Sequence, residues 1–319
     1  MIVVGIDEAG YGPLLGPLVV SAVAFDVPDA AVDTPMWETL RDSVTPKIRK
    51  RDARLVITDS KKLSSRPDGL PRLERASLAM LGTHGGVPFS FVNLLTQLAP
   101  HTLADVRNCR WYGDADLPLP VAATPAGISL ASNALTRDLS AGGITFLGAF
   151  SEPMIAAVYN RMVGNTRNKA VVLFSLTVRL IQRIADTYPG TPMRVVVDRQ
   201  GGRQHYGQAI MRAYELPELR VLEETSTRSA YELKTRPADC TIEFVQKGED
   251  RHLPIALASI FAKYQRELFM RLFNRFFQQH RPDLKPTAGY YTDGQRFLRD
   301  LGEDVDRLQI DRATLVRTS

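Results

Sequence analysis

Two short apolar runs in this chain each end in acid, and that pattern restricts its folding most. Ile2-Val-Val-Gly-Ile-Asp7 comes first, with Glu8 directly after it, and Arg194-Val-Val-Val-Asp198 repeats the pattern further on. Short runs rich in Val and Ile, with turn signals around them, read as buried strands. A buried strand that ends in carboxylate holds its charge at the rim of a sheet. A third run, Leu18 to Phe25, follows Gly10-Tyr-Gly-Pro-Leu-Leu-Gly-Pro17, which punctuates like a hairpin connection.

The rest of the chain alternates between the two periodicities. From Val27 to Thr58 the sequence is polar, and Trp37, Leu40 and Val44 at helical spacing predict a partly helical segment. Asp59-Ser-Lys-Lys-Leu-Ser64 predicts a loop with N-cap character. Ile144 to Phe150 predicts a strand, and the spacing of Ile155, Val158, Met162, Val172, Leu176, Leu180 and Ile184 predicts a long helical stretch from Glu152 to Tyr188. Pro192 marks the turn out of it. A helix over His205 to Ala213, strands near Val221 and over Thr241 to Val245, and a strong helix from Pro254 to Gln279 follow. Strands alternating with helices predict an α/β fold. Pro67 to Gly143 reads as an insertion of mixed short strands and helices. The expected organisation is a catalytic domain over residues 1–270, with the insertion at about 67–143, and a C-terminal helical tail over 271–319 packed on the core.

Composition narrows the setting. Hydrophobic residues make up 44% and charged residues 24% of the 319, so a core of ordinary size needs no disulfides. Cys109 and Cys240 form no CxxC pair and have no neighbouring His, which argues against a zinc site and for two small buried hydrophobes in a reducing cytoplasm. Met1 is followed at once by Ile-Val-Val-Gly-Ile without a basic leader, and the apolar run from Pro13 to Phe25 is interrupted and short. No membrane partner is expected. A formal net charge of +5 suits a polyanionic partner without proving one. Neither GxxxxGK[ST] nor a GxGxxG after a strand occurs, so no nucleotide cofactor is expected.

Acids beside apolar runs are costly, because like charges repel and burial penalises each of them. A divalent cation removes that cost: Mg²⁺ takes a few carboxylates together with waters and phosphate oxygens. An Asp at a strand end also serves as a turn or cap residue, and the residue type alone leaves both readings open.

Four blocks, in order along the chain, resemble the type 2 ribonuclease H family, the HII and HIII enzymes and their relatives. They are Gly5-Ile-Asp-Glu-Ala-Gly-Tyr-Gly-Pro-Leu-Leu-Gly-Pro17, Asp59-Ser-Lys-Lys-Leu-Ser64, Lys247-Gly248 with Ile255-Ala-Leu-Ala-Ser-Ile-Phe-Ala-Lys263, and Gly289-Tyr290. The resemblance implies a ribonuclease H-like fold, a mixed central β-sheet flanked by helices. It implies an endonuclease that hydrolyses the RNA strand of an RNA–DNA hybrid with two divalent ions, Mg²⁺ or Mn²⁺. Asp7, Glu8 and Asp198 match the family's first three carboxylates, and Glu267 stands where a fourth, normally Asp, is found. For Glu267 the alternative is a helix-surface acid paired with a neighbouring Arg.

By the same resemblance Gly10, Tyr11, Gly12, Lys61, Ser259, Lys263 and Tyr290 would bind substrate. The glycines let backbone N–H groups approach a phosphate or a 2′-hydroxyl. The HII branch usually carries Arg where Tyr11 stands, and Tyr cannot supply a guanidinium fork. Lys61, Lys62 and Lys263 are phosphate contacts or plain solvated lysines, and Tyr290 meets a sugar or packs in the core. Ala288 and Tyr291 depart from the family's tail motif. Arg199-Gln-Gly-Gly-Arg203, directly after Asp198, offers two Arg and a Gly pair as a phosphate cradle. Two further readings remain: a hybrid-binding protein with impaired catalysis, and a nuclease of the same fold acting on another nucleic-acid structure.

Overall fold

The computed structural model describes residues 1–113, 115–216, 218–234 and 239–318. In chain order it contains β1 (Ile2–Ala9), β2 (Leu18–Asp26), α1 (Met36–Thr39), β3 (Val44–Thr45), β4 (Leu55–Val56), α2 (Ser60–Ser64), α3 (Gly69–Leu81), α4 (Phe91–Leu98), α5 (Leu103–Arg107) and α6 (Pro125–Ala141). Next come β5 (Thr145–Met154), α7 (Ala156–Thr166), α8 (Lys169–Thr187), β6 (Met193–Asp198), α9 (Gly207–Ala213), β7 (Arg220–Glu224), β8 (Arg228–Leu233) and β9 (Cys240–Val245). The chain closes with α10 (Leu253–His280), α11 (Tyr291–Leu301), α12 (Asp304–Arg307) and α13 (Arg312–Leu315).

Seven strands form one mixed sheet in the order β5-β2-β1-β6-β9-β8-β7. The strands β1, β6 and β9 run parallel, while β2 pairs antiparallel with both β1 and β5. Helices cover both faces, which is why β1 is buried throughout its first six positions, apolar from Ile2 to Ile6, instead of alternating. The mixed, helix-flanked sheet expected from the sequence is therefore present. Even-numbered residues of β1 (Ile2, Val4, Ile6) join the core beneath α8, and Val3 joins the core around α10.

Gly5 explains how close α10 comes. A Cβ there would lie 2.1 Å from the backbone carbon of Pro254, so only glycine lets the start of α10 cross β1 at this distance. The insertion belongs to that same core. Leu73, Phe91, Trp111 and Leu135 are buried together with Phe269, Phe273 and Phe277 of α10, and Trp111 packs edge-on at 5.7 Å from Phe273. Helix α10 itself runs unbroken through residue 270.

Several elements differ from expectation. The stretch 152–188 is not one helix: β5 continues to Met154, and α7 and α8 are separated at Arg167, which sits in the left-handed region (φ 52°). Asn168 then caps α8, accepting from Ala170 N at 2.9 Å, so a helix period that continues across the break conceals a new N-terminus. Between Val27 and Thr58 the only α-helix is the four-residue α1, and Val44 belongs to a two-strand ladder with β4. Over 67–143 helices dominate, and among the described residues extended pairing is limited to a single bridge, Ser90 to Pro118. The strand β8 was not anticipated. Cys109 and Cys240 are both free and buried, and burial pushes each thiol up to about 12. No helix among the described residues is long and apolar enough to cross a membrane.

Candidate active site

The parallel register of β1 and β6 sets the centre of the site. Ile6 pairs with Val197, so Asp7 and Asp198 lie one step further on adjacent strands, both at carboxyl ends, with strands spaced about 4.8 Å apart. Asp7 follows the odd-numbered side of β1 and faces α10, where the Ser259 hydroxyl donates to it. That hydroxyl also lies 2.9 Å from Ser60 Oγ, at the start of α2. Glu8, the next residue, projects to the α8 side. Past the end of β9, Lys247 adopts a left-handed conformation (φ 55°) and turns Gly248 and Glu249 back over the sheet edge. Gly248 N donates to Asp198 Oδ1 at 2.8 Å.

The result is four carboxylates at the ends of three parallel strands: Asp7, Glu8, Asp198 and Glu249. Asp7 is only 5% exposed. Its pKa is pushed well above the usual carboxylate range by burial first, then by Glu8, Asp198 and Glu249. Glu8 is raised to about 7 by burial and then by Asp198. Glu249 is likewise raised to about 7 by burial, then by Asp198 and Asp59. Burial raises Asp198 too, while the Gly248 amide opposes the shift.

One ammonium group answers all of them. Asp59 caps α2, accepting from Lys61 N at 2.8 Å, and thereby fixes where Lys61 begins. Burial lowers the Lys61 pKa, but Glu249, Asp7, Asp59 and Asp198 together raise it further, so the net shift is upward. Lys62 is taken up elsewhere, 2.6 Å from Asp250.

The glycine turn is held from behind. Arg266 of α10 is 1% exposed and donates to Pro17 O at 2.9 Å, Leu15 O at 3.2 Å and Ala288 O at 2.9 Å. Leu14 N donates to Gly289 O at 2.8 Å, and Arg317 donates to the carbonyls of Gly10 and Tyr11. Arg317 also lies 4.1 Å over the Tyr159 ring. Gly10 (φ +89°) could not be replaced without a Cβ 2.5 Å from Pro17 O, whereas Gly12 leaves open space. The turn therefore presents its Tyr11–Gly12 side outward beside Glu8.

The remaining sequence candidates lie along one face of α10. Ser259, Lys263 and Glu267 recur every four residues. Lys263 pairs with Glu267 at 2.7 Å and lies 5.9 Å from the Tyr290 ring, which is 50% exposed. Glu267 is about 12 Å along the helix from Ser259, and it is not among the charges acting on Asp7, Glu8 or Asp198. The fourth acid facing the cluster is Glu249, which the sequence reading missed. No local signal placed it there, because the turn before it depends on a left-handed conformation at Lys247, a non-glycine residue. Arg266 was missed as well, as the buried partner of the glycine turn. Of the Arg-Gln-Gly-Gly-Arg segment, Arg199 donates to Thr225 O at 3.2 Å and to Ser226 O, which braces the adjacent turn. Arg203 lies over the rings of Phe174 and Tyr206.

Among the described residues no three His, Cys, Asp or Glu side chains are gathered closely enough to hold a metal ion. The donor chemistry nonetheless suits a hard divalent cation: all-oxygen and multiply acidic, with each carboxyl pKa raised, by burial first and then by neighbouring acids.

Neither a family model nor a curated protein matches the sequence. Solved structures resemble the chain loosely. One is Bst-RNase HIII in complex with Mn²⁺, with 15% identity, TM-score 0.43 and 99% of this chain covered; the chain spans 66% of that protein's length. The ribonuclease H2 from Pyrococcus horikoshii OT3 has 15% identity, TM-score 0.45 and coverage of 99% and 92%. The RNase HII of a PCNA complex from Archaeoglobus fulgidus has 14% identity, TM-score 0.42 and coverage of 100% and 94%. What the site does has to be argued from its own residues.

Proposed function

We propose that this chain is a divalent-metal-dependent endonuclease that hydrolyses the RNA strand of RNA–DNA hybrids. The observation that carries the reading is the convergence of Asp7, Glu8, Asp198 and Glu249 at the carboxyl ends of β1, β6 and β9, with one lysine among them. A fold keeps four neighbouring acids, two buried and two half-buried, at a cost, and a phosphodiester-cleaving metal site gives that cost a use. The four sequence blocks that resemble type 2 ribonucleases H support RNA–DNA hybrid as the substrate, and the fold gathers three of those blocks around the acids.

Asp7, Glu8, Asp198 and Glu249 would hold Mg²⁺ or Mn²⁺, which when bound supplies an acidified water and charge neutralisation at the phosphate. Ser259 orients the Asp7 carboxylate. Lys61 places a positive charge beside the acids, where a phosphate would arrive. The backbone amides of the Tyr11–Gly12 turn, with the Tyr11 hydroxyl, would meet a ribose. Lys263 and the exposed ring of Tyr290 lie further along, in position for the other strand. Glu267 would tune Lys263, because the two are already paired.

The test is cleavage of a labelled RNA–DNA hybrid, and of a DNA duplex holding one ribonucleotide, in Mg²⁺ or Mn²⁺. Cutting confined to the RNA strand, abolished by chelator and by Asp7→Asn, is the expected outcome. Binding of the hybrid without cutting in either metal would leave a binding protein instead.

A further inference from the structure

A groove between α8 and α9 has no part in the site described above. Its floor is apolar, formed by Val171, Phe174 and Val178, and its rim carries Arg203 and Arg212 together with Arg179, which pairs with Glu152 at 3.5 Å, and His205, which pairs with Glu224 at 2.7 Å; no carboxylate is among the described lining residues themselves. The cavity measures about 590 Å³, room for a nucleobase with its sugar. Arg203 and Arg212 form no ion pair or side-chain hydrogen bond among the described residues, whereas most other arginines near the sheet do. Arg203 is also held in place: its guanidinium lies 5.6 Å from the Phe174 ring and 5.5 Å from the Tyr206 ring. An ordered cation without a counter-ion is what an anionic ligand would need.

Two segments of the chain lead from the carboxylate site toward the groove. Lys169 begins α8, and its Nζ lies 5.6 Å from the Tyr11 ring, in the turn that directly follows Asp7 and Glu8. From Lys169 to Arg179 the helix advances about 15 Å. Arg203 follows Asp198 by five residues, so the loop that leaves the acids leads into the rim.

We infer that the α8–α9 groove binds a single-stranded segment of nucleic acid, continuing one strand of the duplex away from the carboxylates. A concave cationic track with an apolar floor takes an unstacked base and its phosphates, whereas duplex backbone needs charge without such a floor. Continuation of one duplex strand into the groove rests on the proposed nuclease function; binding of single-stranded nucleic acid by the groove does not.

The experiment is binding of a short labelled oligodeoxynucleotide to the full chain, followed by fluorescence anisotropy over a salt series. Arg203→Gln with Arg212→Glu should weaken binding by about tenfold and flatten the salt dependence by roughly 1.4 logarithmic units per unit, the contribution of two phosphate contacts on a single strand. Arg203→Lys with Arg212→Lys should restore most of it, and Asp7→Asn should leave it within twofold or so. Arg212 is exposed on α9, and unchanged melting curves would exclude misfolding as the cause. Wild-type protein that fails to bind the oligonucleotide, or a charge variant that binds as well as wild type, overturns the inference. Equal displacement by a glutamate-rich peptide of the same charge overturns it too, and makes the groove a site for an acidic protein segment. Cleavage of blunt hybrid is scored separately. Loss of cutting with oligonucleotide binding intact would sink the nuclease and leave the groove, and the converse result would do the opposite.

Discussion

Two buried acids, Glu74 and Asp7, sit on opposite flanks of α10 and have been treated in opposite ways by the fold. Glu74, fully buried on α3, accepts from the amides of Val121, Ala122 and Ala123 at 2.7, 2.7 and 2.6 Å, and from the Tyr264 hydroxyl at 2.7 Å. Every lone pair that faces the protein has a donor, and the carboxylate clamps the segment before α6 onto α10. Asp7 receives one hydroxyl, from Ser259, and faces three other acids. The contrast separates an acid whose charge is fully paired within the fold from one left facing like charges.

Replacement should therefore act in opposite directions at the two positions. Asp7→Asn should lower hybrid cleavage by more than about a hundredfold, since even residues one shell out from a metal cost 10–100-fold. The same variant should leave the metal-free protein at least as stable as wild type, because a repelled charge has been removed. Steady-state cleavage and calorimetry on one preparation read both. A variant that loses stability along with activity would place Asp7 with Glu74 as a structural acid.

Glu74→Ala should cost about 2–4 kcal/mol of stability, because it strands backbone donors and a tyrosine hydroxyl. Chemical denaturation measures it. Its effect on cleavage by the folded fraction should be small, since nothing links Glu74 to the acids except the body of α10. A Glu74→Ala variant of unchanged stability would show that water replaces the clamp, and that the contrast with Asp7 is weaker than the contacts suggest.

The acids at the strand ends also give a pH signature. Glu8 and Glu249 hold their protons to about pH 7 when folded, against an ordinary value near 4.5, with burial the largest cause. Between those values the folded chain binds more protons than the unfolded one, so stability is full below about 4.5 and is lost as pH rises toward 7. Metal-free protein should accordingly melt at progressively lower temperature across that window. Glu249→Gln should flatten the slope, and Mg²⁺ should raise the melting temperature more at high pH than at low, since protons and metal compete for the same oxygens. A melting temperature that rises with pH through the window would contradict the assignment.

Much of this was readable beforehand, for identifiable reasons. The two apolar runs ending in acid became β1 and β6 because local pattern and burial on both faces agree, and parallel pairing then brought Asp7 and Asp198 side by side. Asp59 showed its capping role in its spacing to Lys61. Glu249 escaped notice because its position depends on a left-handed turn at Lys247, a non-glycine residue that carries no local signal for φ > 0. Arg266 escaped because a buried arginine among carbonyls from residues 15, 17 and 288 is a long-range fact. The break between α7 and α8 was hidden for a related reason: apolar spacing reports the buried face and continues across a cap.

The smallest effect is expected at Glu267, and it decides between two ways of assembling the site. If the resemblance to type 2 ribonucleases H carries over residue by residue, Glu267 is a metal ligand and Glu267→Gln should match Asp7→Asn. The geometry favours another outcome. Glu267 lies about two turns of α10 beyond Ser259, its carboxylate is paired with Lys263, and Glu249 already occupies the fourth place around Asp198. Removing its charge should therefore leave kcat within about tenfold, no more than the low end of the 10–100-fold losses seen one shell out from a metal, and free Lys263 for phosphate, so that KM falls. Glu249→Gln, measured beside it, should give the larger loss in kcat. The reverse ranking would mean that substrate and metal draw the far end of this helix face inward, and that Glu249 serves only to place Gly248 against Asp198.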